Sequence, residues 1–112
     1  EHAYPLLVTL SRKQAEAVDT TQYTAVNCKT IIDKFTVTNT TGAPVLFSVN
    51  LIPVAGTASD ANLVLKQRSI APNETYTCPE LVGQTLEAGK FISTLAGAAT
   101  SLTISASGRE IT

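Results

Sequence analysis

Apolar and polar positions alternate with a period of two along much of this chain, most clearly on either side of Thr40-Thr41-Gly42-Ala43-Pro44. Phe35 and Val37 share one parity before that hinge; Val45, Phe47, Val49 and Leu51 share one parity after it. Successive strand side chains point to opposite faces, so each run buries one face and wets the other. The pattern over Thr30 to Pro53 predicts a half-buried antiparallel hairpin. A second clean alternation runs from Ser101 to Ser107, with Leu102, Ile104 and Ala106 expected inward and Ser101, Thr103 and Ser105 outward.

Turn chemistry divides the rest into short strands. Tyr4 to Leu10 reads as a strand or extended arm, and Gln22 to Val26 as a strand. The polar stretch between them leaves room for a helical turn over Gln14 to Val18. Ile52 to Asp60 is a loop of small residues in which Pro53 ends strand pairing, and Asn62 to Ile70 is a strand with Leu63 and Leu65 opposite Lys66 and Arg68. In Ala71-Pro72-Asn73-Glu74, Pro sets φ at the second position and Asn tolerates the corner. Thr75 to Cys78 returns as a strand, and Pro79 to Val82 is able to open one helical turn. Leu86 to Lys90 turns before Phe91 to Leu95, and Ala96 to Ala99 reads as a hairpin-like connection. Seven or eight short strands at about ten-residue spacing predict an all-β, single-domain antiparallel β-sandwich, jelly-roll or immunoglobulin-like. The expected core includes Phe35, Val37, Phe47, Val49, Leu51, Leu102 and Ile104. The expected organisation is an N-terminal arm or strand over residues 1–21 and a sandwich over 22–112.

Composition sharpens the surface more than the core. Thr occupies 17 of 112 positions, and a β-branched hydroxyl suits the wet face of a pleated strand. Charged residues make 15% of the chain against about 25% in a typical soluble domain, and the formal net charge is −1. That balance argues against a nucleic-acid partner, which calls for a basic patch. No stretch approaches the ~20 apolar residues of a membrane span, and Pro5 to Leu10 is too short for a signal-peptide core. With no Met in the chain, Glu1 is not expected to be an initiator.

Candidate chemistry is sparse. The lone His2 sits at the amino terminus, where fraying is the default. Asp19, Asp33, Asp60, Glu74, Glu80 and Glu87 show no paired spacing of the kind acid–base catalysis uses. Asp33, on the parity of Ile31 and Phe35, is expected to pair with Lys90 or Arg109. One His and two distant Cys lack metal-ligand spacing, and no glycine stretch precedes a helix to cradle a phosphate. No catalytic, cofactor-binding or metal-binding residue is therefore assigned, and no cofactor. Cys28 and Cys78 close a 50-residue loop that a disulfide would stabilise by ~4 kcal/mol in the chain-entropy model. Nothing else indicates an oxidising compartment, so two free thiols are the preferred expectation. Asn39-Thr40-Thr41 and Asn73-Glu74-Thr75 match the glycosylation pattern, but turn chemistry alone accounts for an Asn at both places.

Lys29-Thr30-Ile31-Ile32-Asp33-Lys34-Phe35-Thr36-Val37-Thr38-Asn39-Thr40-Thr41, then Ser69-Ile70-Ala71-Pro72-Asn73-Glu74-Thr75-Tyr76 and Cys78-Pro79-Glu80-Leu81-Val82-Gly83, resemble a family of small β-rich proteins of tailed bacteriophages and prophages. The resemblance runs from Gln22 to the end and does not cover the first 21 residues. Where Cys28 stands, that family usually has a small residue such as Gly, so no family-wide disulfide is implied. The resemblance implies a virion structural protein with a jelly-roll or immunoglobulin-like sandwich: a capsid decoration (cement) protein, or a neck or tail accessory subunit. The partners implied are copies of itself, in a homo-oligomer with a trimer as one option, and virion proteins such as the major capsid protein. Nucleic acid, membrane and enzymatic activity are not expected, and the expected location is the virion. The alternative is a surface adhesion module binding carbohydrate or a receptor, although the chain has only Tyr4, Tyr23 and Tyr76 among its tyrosines and no Trp. The apolar run Pro5 to Leu10, beside the charged run Arg12 to Glu16, is expected to contact a neighbouring subunit.

Overall fold

A computed structural model describes residues 5–112; His2 and Tyr4 lie outside the described residues. Nine strands follow in order: β1 (Pro5–Gln14), β2 (Thr20–Thr24), β3 (Lys29–Asn39), β4 (Val45–Ile52), β5 (Leu63–Ile70), β6 (Thr75–Tyr76), β7 (Thr85–Leu86), β8 (Phe91–Ala96) and β9 (Leu102–Ile111). One sheet has the order β1-β9-β3-β6, with β7 also on β3; the other has the order β2-β8-β4-β5. Every pairing is antiparallel. The nesting of β1 with β9, β2 with β8, β3 with β6 and β4 with β5 is a long antiparallel ribbon rolled over itself. The fold is an all-β sandwich of the jelly-roll kind, the arrangement found in capsid and lectin domains.

That rolling overturns the hairpin expected over Thr30 to Pro53. β3 and β4 lie in opposite sheets, so Thr40–Pro44 is an arch across the sandwich. A hairpin and an arch give the same alternation, because each strand still buries one face. What separates them here is Asn39, wholly buried at the end of β3. Its amide nitrogen donates to the carbonyls of Ala43 (2.8 Å) and Ile70 (2.9 Å), and its oxygen accepts from the backbone N–H (2.9 Å) and hydroxyl (2.7 Å) of Thr41. Those bonds tie the first sheet to β5 of the second and turn the chain between them. They also remove Asn39 from the glycan acceptors, since its nitrogen is both occupied and enclosed. Ala96–Ala99 is likewise an arch, from β8 to β9, and Ser101 is buried beneath it rather than outward, donating to the Ala98 carbonyl at 2.6 Å.

Phe35, Val37, Phe47, Val49, Leu102 and Ile104 fill the space between the sheets. The rings of Phe35 and Phe47 meet across it with centroids 6.4 Å apart. Leu51 is only half-buried, because the β4–β5 register shifts between Phe47 and Asn50 and the strand turns. A register shift between Ile32 and Lys34 does the same to β3: Thr30 and Ile32 face inward before it, Phe35 and Val37 after it. Asp33 is the extra residue, so it does not share an inward parity with Ile31 and Phe35.

Residues 5–14 form an edge strand of the first sheet, paired with β9 from Pro5↔Ile111 to Gln14↔Thr103, so the sandwich reaches back past Gln22 to Pro5. No helical turn forms over Gln14 to Val18; β1 occupies its start, and Ala15 donates to the Leu102 carbonyl at 2.8 Å. Pro79 to Val82 makes hydrogen-bonded turns rather than a helix, and a short 3-10 turn is found at Asp60–Asn62. Asn73 has φ 62° in the corner after Pro72, as its turn chemistry leads one to expect.

Cys28 and Cys78 are both free and buried. Burial, with a smaller contribution from the charge of Glu80, pushes the Cys78 thiol up to about 12. Thiolate is the reactive form, so Cys78 is expected to resist iodoacetamide in native protein at pH 8. Intact mass should show two added groups only after denaturation without reductant. A denatured protein that takes up none, and is lighter by two hydrogens, overturns this.

Candidate assembly surface

The carboxylates considered above serve local structure and do not converge. Among the described residues no group of three or more His, Cys, Asp or Glu side chains is placed to hold a metal. Asp33 takes a bidentate fork from Arg109 (Nη2 to Oδ1 2.9 Å, Nε to Oδ2 3.0 Å), which raises the Arg109 pKa further; Arg109, not Lys90, is its partner. Glu74 accepts from the Ala71 N–H at 2.7 Å and closes the corner around Asn73. Glu87 lies 3.6 Å from Lys29, and Asp60 4.0 Å from Lys66, all largely exposed. Asp19 lines a shallow depression with Asp60 and Lys66 and forms no ion pair among the described residues.

Two tyrosine clusters escaped the sequence reading. Tyr23 on β2 donates to Glu110 on β9, and its hydroxyl lies 2.7 Å from that of Thr30 on β3. This links an edge strand of one sheet to the middle of the other. Burial first, then the hydrogen bond to Glu110, raises the Tyr23 pKa. Tyr76 donates to both oxygens of Glu80 (2.8 and 2.7 Å) and lies under the Arg68 guanidinium, 4.3 Å from the ring centroid. Its pKa is pushed up to about 12, by burial and then by Glu80, whose own carboxyl is held below the usual range by that hydroxyl. Tyr23 meets Glu110 from 87 positions away, and Tyr76, although Glu80 is only four positions on, meets Arg68 of the opposite sheet across the β5–β6 connection.

What the surface does offer is an open edge and an uneven face. Among the described residues β1 has β9 on one side only. Leu6 and Leu7 on it are 61% and 78% exposed, and β1 carries no charge before Arg12. On the other side of the sheet, β6 and β7 both pair with β3 but leave a gap between them. Positive φ at Cys78 (43°) turns the chain out of the ladder there. The result is a cleft of ≈ 460 Å³ lined by Asp33, Phe35, Thr77, Pro79 and Val82 among others. A second hollow, lined by Leu7, Val8, Thr9, Asp33, Ser107 and Gly108, follows the bulged line across the same sheet. The two linings combine apolar side chains with threonines and with Asp33, the carboxylate that Arg109 holds.

Jelly-roll sandwich with an uncovered edge is thus the class this chain belongs to by geometry. No family model matches the chain, and no curated protein matches it by sequence. Solved structures match it in fold. One is a chain of infectious bursal disease virus Gx strain, with 16% identity and a TM-score of 0.50, covering 99% of this chain and 33% of that one. Another is from the infectious bursal disease virus VP2 subviral particle, with 15% identity and a TM-score of 0.52, covering 97% and 32%. The likeness is one of fold, and this chain spans about a third of the length of either neighbour.

Proposed function

We propose that this protein is a virion structural subunit of a tailed bacteriophage, either a capsid decoration (cement) protein or a neck or tail accessory subunit. It works by packing against copies of itself and against virion proteins such as the major capsid protein, and it is not an enzyme. The observation that carries the reading is the jelly-roll strand order, together with a fold likeness over nearly the whole chain to a protein of a viral particle. The sequence resemblance to small tailed-phage proteins supports the phage origin. A low-charge surface with an open strand edge suits a protein that acts through contact. The adhesion reading draws no support from the described tyrosines, since Tyr23 and Tyr76 each spend their hydroxyl on a carboxylate.

Quantitative mass spectrometry of purified particles from the encoding phage tests this. Copy number comparable with the major capsid protein identifies a decoration protein; a few copies per particle identify a neck or tail subunit. Absence from purified particles overturns the proposal.

A further inference from the structure

We propose that the open edge of β1 pairs antiparallel with β1 of a second copy about a two-fold axis at Leu7, joining two sheets into one. The inference rests on the reading of this protein as one that packs against itself. It starts from where the backbone groups of β1 point.

Ile32 donates its N–H to the Gln84 carbonyl (3.0 Å) and accepts from Gly83 (2.7 Å), so its backbone groups face away from β9. Gly108 stands opposite Ile32 on β9 and opposite Val8 on β1. In an antiparallel ladder, residues opposite each other turn their groups either both toward each other or both away. Gly108 therefore bonds toward Val8, and by alternation Leu6 and Val8 bond to β9. Leu7 and Thr9 turn N–H and C=O to the open edge, and Pro5, which has no N–H, presents a carbonyl there.

A two-fold axis at Leu7 matches these groups to their own copies. Each Leu7 N–H meets the carbonyl of the partner's Leu7, and each Thr9 N–H meets the carbonyl of the partner's Pro5. The missing N–H of Pro5 falls at the end of the paired stretch, where it leaves only the partner's Thr9 carbonyl to solvent. Leu6 comes opposite the partner's Val8 on one face, and the two Leu7 side chains meet on the other, covering the most exposed of the large apolar side chains.

Charge and shape select the same register. Pro5 to Leu10 is uncharged, while Arg12 and Lys13 follow on the exposed part of the strand, the device that protects an edge from pairing. With the axis at Leu7, the cations of both copies stay outside the paired segment. Moving the axis toward Thr9 brings the Thr9–Ser11 register shift and then Arg12 into the pair. A second copy thus fits this edge in one register.

Light scattering on the full chain at high micromolar concentration should give twice its 11.8 kDa. Leu7→Pro removes only the edge-facing N–H, which an edge strand tolerates, so it should leave the circular dichroism unchanged and yield a monomer. Leu7→Cys places two thiols across the axis at a Cα separation of about 5.5 Å, within disulfide range, and should form a covalent dimer under mild oxidation. Thr9→Cys, opposite the partner's Pro5, should not. A monomeric wild type, a Leu7→Pro variant that stays dimeric, or equal cross-linking of the two Cys variants overturns the pairing. Those failures leave the virion reading standing if the protein is found in particles. A cross-linked dimer missing from particles sinks that reading and keeps the pairing.

Discussion

Phe47→Ala is expected to cost ~3–5 kcal/mol of folding stability, a large share of the roughly 5–15 kcal/mol a domain of this size holds. Phe47 is wholly buried on β4, with its ring facing Phe35 from the opposite sheet. Truncation removes the transfer energy of the ring and leaves a cavity between two sheets. Their separation is set by Asn39 and the arches, so the walls have little freedom to collapse. Denaturant unfolding should show a lower midpoint at an unchanged slope, the mark of lost native stability. Phe47→Leu, which keeps most of the volume, should lose clearly less. A loss near zero for Phe47→Ala contradicts the placement of β4 against β3.

The same contact shows where sequence reading succeeds and where it stops. Period-two alternation placed Phe35, Val37, Phe47, Val49, Leu102 and Ile104 inward, because burying one face of a strand is a local demand that any sandwich topology must meet. Whether β3 and β4 lie side by side or face to face is not a local matter. Asn39 decides it by reaching Ile70, 31 positions away, and from sequence the same Asn is one more turn residue. Leu51, Asp33 and Ser101 were misplaced for a related reason. Bulges and arches move a side chain to the other face without leaving any trace in composition. The two-residue strand β7 gave no alternation to detect.

Of the candidate site, the apolar character of Pro5 to Leu10 was legible, and so was the strand it forms. Its pairing with β9 in the same chain is something no spacing rule foretells. The cleft between β6 and β7 stayed hidden because it depends on the positive φ of Cys78, a residue whose type gives no hint of it.

Gly108→Ala should destabilise the protein by about 3 kcal/mol or more, although the change adds a single methyl group. A Cβ at Gly108 would stand 2.2 Å from the Ile31 carbonyl oxygen and 3.2 Å from Cδ1 of Leu10. The obstacle is backbone, not the end of a flexible side chain, and β3 is held from both sides by β9 and β7. Both neighbours of β9 shift register beside this glycine, β1 between Thr9 and Ser11 and β3 between Ile32 and Lys34. The sheet bends along that line, and the bend is what brings β3 so close. Gly108 has no left-handed φ, so nothing but the collision penalises Ala there. Gly42→Ala is the matched control: its Cβ meets nothing within 4 Å and its φ is also ordinary, so it should be neutral or stabilise by ~0.4–1 kcal/mol through the unfolded chain. Opposite signs at the two sites, read from denaturant midpoints, are the expected result. If Gly108→Ala is as stable as Gly42→Ala, the two register shifts do not draw β3 against β9, and the bend that ends the flat stretch of β1 at Thr9 is lost with them.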